Sequence, residues 1–155
     1  MKRKTPFFAS IFLFVSFISF AQNDAYKALL KHTSIVIHAA QKHMIAAGKT
    51  DVGGLLAKSV LLQSHAVKIY RQKNEKNSAC SSAKARELAA EIIKKIGGKE
   101  NAYYLVSDEE KKLLGNCSGE AELLKEGKKN LKTLSENDKD YADPKSLNAT
   151  NIDIK

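Results

Sequence analysis

From Tyr26 onward the apolar positions Tyr26, Leu30, Ile37, Ala40, Met44 and Ala47 follow steps of three and four, with Thr33 as a neutral member of the same row. That spacing puts them on one side of a helix with 3.6 residues per turn. Asn23 or Asp24 can cap its start, and Gly48 can end it in the left-handed conformation that closes many helices. Ile35-Val36-Ile37 is locally strand-prone, but three residues do not outweigh the longer helical period. A second row follows in Val52, Leu55, Leu62, Ala66, Ile69 and Tyr70, with Ser59 as a small member and Thr50 or Asp51 as the cap. It fades in the polar stretch 71–77, RQKNEKN. A third row, Ala85, Leu88, Ala89, Ile92 and Ile96, predicts a helix that starts between Glu75 and Ser82 and stops at Gly97-Gly98. The short connections predict three antiparallel helices, neighbours in sequence order.

Beyond the glycines the pattern loosens. The apolar run 102–106, AYYLV, predicts an extended segment laid across the bundle. Ser107-Asp108-Glu109-Glu110 is a capping box, which starts a short helix ending at Gly115. Ser118 can cap a last helix carrying Leu123, Leu124, Leu131 and Leu134, with Gly127 as a weak point inside it. The expected fold is therefore all-α, an antiparallel bundle of three long helices plus one or two short ones over residues 22–134. Residues 135–155 form a polar, partly irregular C-terminal tail.

The first residues add a different kind of information. Lys2, Arg3 and Lys4 precede an apolar run from Phe7 to Phe20, followed by the small-x-small site Ser19-Phe20-Ala21. This predicts a bacterial-type secretory signal peptide over residues 1–21, cleaved near Ala21-Gln22. The run of about fourteen residues is short of the roughly 20 that span a bilayer. The expected location is the periplasm or the exterior. In such an oxidising compartment Cys80 and Cys117, the chain's two cysteines, are expected to form a disulfide.

Charge is unevenly placed. Residues 22–96 hold thirteen Lys/Arg against five Asp/Glu, and residues 97–155 hold ten against twelve. The basic half leaves polyanion contact open as a partner reading, although its lysines are scattered as on a solvated helix face.

The segment HTSIVIHAAQKH gathers His32, His38 and His43 on the first helix. Metal ligands on one helix need spacings of three or four, and these are spaced six and five, so the three do not converge. No metal site is expected; the one pair left open is His38 with His65, which would lie at the same height in the first hairpin but project away from their stripes and meet only if a helix were rotated. Asp138, Asp140 and Asp143 lack the glycine and spacing of a calcium loop. No serine-hydrolase, zinc-protease or phosphate-loop motif occurs. Glu87 and Glu91, with Lys84 and Lys95, read as surface ion pairs.

Residues 66–93, AVKIYRQKNEKNSACSSAKARELAAEII, resemble a single tetratricopeptide helix pair. Tyr70 and Ala79 keep that family's nine-residue spacing, whereas Arg86 and Val67 stand where it has small residues. The resemblance implies a helix hairpin able to contact another protein. Taken together, the expectation is an exported binding protein of the bacterial envelope, without a catalytic constellation or a cofactor, whose partner is another envelope protein. The alternative is a small-ligand or metal binder using the bundle core or His38 and His65.

Overall fold

A computed structural model describes residues 9–49, 51–99, 101–130 and 152–155 of the chain. It is all-helical: α1 (Ala9–Ala47), α2 (Gly53–Arg71), α3 (Glu75–Lys95), a 3-10 turn at Ala102–Tyr104, α4 (Asp108–Leu114) and α5 (Glu120–Asn130). No strand occurs among the described residues. Three long helices pack together, and a disulfide joins Cys80 to Cys117 with Cα atoms 5.6 Å apart.

The first helix starts earlier than its capping residues predict. It runs unbroken from Ala9, through Asn23 and Asp24. No glycine or proline interrupts it, and an interior Asn or Asp costs at most about 0.7 kcal/mol against alanine. No described helix is long and apolar enough to cross a membrane. Helix α2 likewise does without the expected side-chain cap. Its N-cap is Val52, which makes no capping hydrogen bond, and Thr50 lies outside the described residues.

The ends of all three long helices share one geometry. At α1 the amides of Gly48 and Lys49 donate back to Ile45 and Met44, and at α3 those of Gly97 and Gly98 donate to Lys94 and Ile93. Helix α2 closes in the same way, through Lys73 and Asn74 onto Tyr70 and Ile69. This double bond from the two residues past the helix requires a left-handed residue. Gly48 and Gly97 supply it at two ends, and Lys73, at φ +65°, supplies it at the third. Polar composition alone does not end α2; a lysine in a glycine conformation does.

Helices α2 and α3 form an antiparallel hairpin sewn by small hydroxyls. Ser59 Oγ donates to the Ala85 carbonyl at 2.7 Å, Ser82 Oγ to Gln63 Oε1 at 2.8 Å, and Ser78 Oγ to the Ala66 carbonyl at 2.8 Å. Small side chains let the two backbones approach, and the bonds satisfy hydroxyls that are buried there. Helix α2 is covered on several sides, by α1, α3 and α5, so its residues 61–67 are all buried and no single stripe describes it. Gly127, which weakens α5 by propensity, is where that helix passes Leu61 and His65 of α2.

Helix α1 packs chiefly on α3 rather than on its sequence neighbour α2. The expected α1–α2 register also shifts. Tyr70 donates to Asn23 and Gln63 donates to the Leu30 carbonyl, pairs whose numbers each total 93. Residue 38 is then level with residue 55, not with residue 65. The main core joins Val36, Ile37, Ala40 and Met44 of α1 to Leu56 and Leu62 of α2 and Leu88 and Ile92 of α3. A second cluster gathers Tyr26, Leu29, Leu30, Val67 and Ala79.

The tail reading changes at its far end. Residues 131–151, including Leu131, Leu134 and the aspartates at 138, 140 and 143, lie outside the described residues. Ile152, however, is only 1% exposed and belongs to the main core.

Candidate functional site

The most demanding side chain in the molecule is Arg86, which is fully buried at 0% exposure. Its guanidinium has five N–H groups, and each has an acceptor. Nε donates to Thr33 Oγ1 at 3.2 Å, Nη2 to the Leu29 carbonyl at 3.2 Å and to Glu110 Oε1 at 2.8 Å. Nη1 faces Glu110 Oε2 at 2.9 Å, His32 Nδ1 at 2.8 Å and the Leu105 carbonyl at 3.3 Å. Because arginine only donates, the contact with His32 is a hydrogen bond when Nδ1 is the accepting nitrogen. The pair with Glu110 is a two-pronged Arg–carboxylate bridge, the geometry that suits a planar guanidinium.

Glu110 performs two tasks with one carboxylate. It accepts from the Ser107 amide at 2.8 Å while its own amide donates to Ser107 Oγ at 3.2 Å, completing the capping box of α4. It also neutralises Arg86. Burial pushes its carboxyl pKa up, but the hydrogen bonds from Arg86 and the Ser107 amide, with the charge of Arg86, outweigh burial and hold it below the usual value. Arg86 thereby fastens α1, α3, the segment after the 3-10 turn and α4 at one point.

Against this anchored segment lies a half-open groove of about 370 Å3 between α3 and residues 99–111. Ile93, Tyr104 and Val106 provide apolar wall, and Glu91, Lys94 and Lys111 contribute charge around it. Leu105 also lines it and is 48% exposed, and Tyr103 next to it is 51% exposed. The ring of Tyr103 rests on His32 at a centroid distance of 4.2 Å and meets Tyr104 edge-on. Ile35, three residues beyond His32 and so on the same helix face, is also 51% exposed. The run 102–106 is thus a 3-10 turn followed by extended backbone at Leu105, rather than one extended strip. Only Val106 in it is buried.

The histidines go to separate places. His32 belongs to the Arg86 knot, and His43 is exposed. His38 Nε2 is 3.3 Å from Asp153 Oδ1, and His65 Nε2 is 3.6 Å from Glu126 Oε2. By the observed register His38 and His65 are ten residues apart along the hairpin, about 15 Å at 1.5 Å per residue, so the structure does not bring them together. Burial lowers the His65 pKa; the nearby Glu126 raises it in part, and Lys68 lowers it further. Among the described residues no group of three or more His, Cys, Asp or Glu is arranged to hold a metal ion. Glu87 and Glu91 pair with Lys84 and Lys95 at the surface, as their spacing predicts.

Sequence reasoning missed Arg86 as a structural centre. It counted the residue among the scattered basic charges and noted only that it stood where a helix-pair repeat has a small residue. The available signal was its place between Ala85 and Leu88-Ala89 on the apolar stripe of α3. No protein-family model, curated protein or solved structure matches the chain.

Proposed function

We propose that this chain is an exported, non-catalytic binding protein of the bacterial cell envelope that engages another protein through the groove beside the Tyr103–Val106 segment. The observation that carries this reading is the half-open, aromatic-walled groove of about 370 Å3 flanked by half-exposed Tyr103 and Leu105. Adjacent exposed apolar side chains with a charged rim are the usual make-up of an interaction surface. The Arg86–Glu110 bridge supports the reading further, since it fixes the backbone that presents them. Export is supported by the charged-then-apolar first twenty-one residues and by the Cys80–Cys117 disulfide.

The test has two arms. Mass analysis of the exported protein should find Gln22 as the first residue; a protein retained in the cytoplasm with thiols free would overturn the export reading. Affinity capture from envelope extract should be compared between the native chain and a Tyr103→Asp/Leu105→Asp variant. The variant should keep the native circular dichroism and lose the captured protein; an unchanged capture set would remove the groove from consideration. Small-ligand binding is the second reading, favoured by a volume within the range of about 300–1,000 Å3 typical of ligand pockets.

A further inference from the structure

The four residues Ile152–Lys155 are held in a way unlike the other described parts of the chain. They belong to no helix, and among the described residues no backbone-to-backbone hydrogen bond joins them to the bundle. Ile152 is 1% exposed within the main core, while Ile154 is half-buried and packs on the second cluster. Asp153 between them turns outward, with Oδ1 3.3 Å from His38 Nε2 at the surface. Such alternation, with side chains at every second position facing inward, is how an extended peptide lies in a slot.

The receiving side is built from polar as well as apolar groups. Gln63 is fully buried on α2. Its Nε2 donates to the Ile152 carbonyl at 3.1 Å and to the Leu30 carbonyl of α1 at 2.9 Å. Its Oε1 accepts from Ser82 of α3 at 2.8 Å, which fixes the amide orientation. One buried amide therefore reads the backbone of the segment, two clusters receive its isoleucines, and His38 meets its carboxylate.

We propose that the slot at Gln63 and His38 is a peptide-recognition site. Its ligand class is an extended segment with the pattern β-branched–acidic–β-branched, and residues 152–155 are its resident, displaceable occupant. A segment of that pattern supplied in trans competes for the same place. Neither Gln63 nor His38 lines the groove beside Tyr104, so this proposal and the function proposed above are tested separately.

The probe is a fluorescent five-residue peptide, Asn-Ile-Asp-Ile-Lys, identical to residues 151–155. It is titrated by anisotropy into the full chain and into a chain shortened to end before Asn151. The shortened chain should bind the peptide at least tenfold more tightly than the full chain, whose own segment occupies the slot. A peptide with Asp in place of the first Ile should bind at least tenfold more weakly than the parent. If shortening unfolds the chain, adding the parent peptide should restore helical circular dichroism and the altered peptide should not. Equal binding to both chains, equal binding of both peptides, or no binding and no restoration would each overturn the proposal.

Discussion

Replacing Arg86 with methionine keeps most of the side chain's length and removes its charge and all its donors. The loss falls on specific groups. Glu110, only 18% exposed, is left without its counter-ion, and the Leu29 and Leu105 carbonyls, Thr33 Oγ1 and His32 Nδ1 lose a donor. Removing one partner of a buried pair generally costs about 3–5 kcal/mol. Glu110 keeps the Ser107 amide and some access to water, so Arg86→Met should fall near the lower bound, about 3 kcal/mol. Glu110→Gln preserves the capping geometry but leaves Arg86 charged and buried, and should cost a similar amount. The double variant removes both charges and should cost at least about 2 kcal/mol less than the sum of the single costs. Urea unfolding followed by circular dichroism at neutral pH, with the disulfide intact, measures all three. The acid limb adds an independent check. With Arg86 present the folded-state pKa of Glu110 lies below its unfolded value, so its contribution is complete above the unfolded pKa of 4.5. It is lost as pH falls through the folded value. In Arg86→Met, burial is opposed chiefly by the Ser107 amide alone, the folded pKa rises, and this part of the acid destabilisation should shrink. A cost below about 1 kcal/mol for Arg86→Met, or single costs that add within about 0.5 kcal/mol, would refute the view that the bridge acts as one unit.

Lys73→Gly should stabilise the chain by roughly 1 kcal/mol, because glycine adopts the left-handed φ of +65° at the end of α2 without the Cβ penalty; a lower urea midpoint would contradict this. Gly127→Ala should also stabilise, by about 0.5–1 kcal/mol of helix propensity. The added Cβ would meet Leu61 at 3.4 Å and His65 at 3.6 Å, both ordinary contact distances, and a destabilised variant would show that α5 sits closer to α2 than these distances allow. His65 should titrate below 6.5 in an NMR experiment, since burial disfavours its charged form. With a depressed folded pKa, its contribution is complete above 6.5 and lost as pH falls, so the urea midpoint should decline from pH 7.5 to 5.5 and decline less in His65→Gln.

Much of the fold is legible in short windows of the chain. The stripe through Ile37, Ala40 and Met44, the stops at Gly48 and Gly97, and the Ser107–Glu110 capping box all involve residues within a few positions of one another. Helix geometry converts those spacings directly into faces and ends. The cysteine pair was legible from the count rather than from geometry, because two cysteines in one chain have only each other as partner. The place where α2 ends was legible in the polar stretch 71–77, but its closing geometry was not, since Lys73 carries no local mark of a left-handed conformation. The candidate groove was half visible: the apolar run 102–106 stood out, but the groove's shape depends on how Arg86 holds the Leu105 carbonyl from another helix.

The sequence by itself determined the helical elements, most of their buried faces and the single cross-link. The elements and faces follow from interactions between near neighbours, and the cross-link from the count of two cysteines. Tertiary structure alone decided that α1 lies mainly on α3, that the first hairpin is shifted so that His38 and His65 part company, that Arg86 is buried against Glu110, and that Ile152 completes the core. Each of these joins residues far apart in the chain. A charge or an apolar side chain carries no local sign of a partner that only the assembled bundle brings to it.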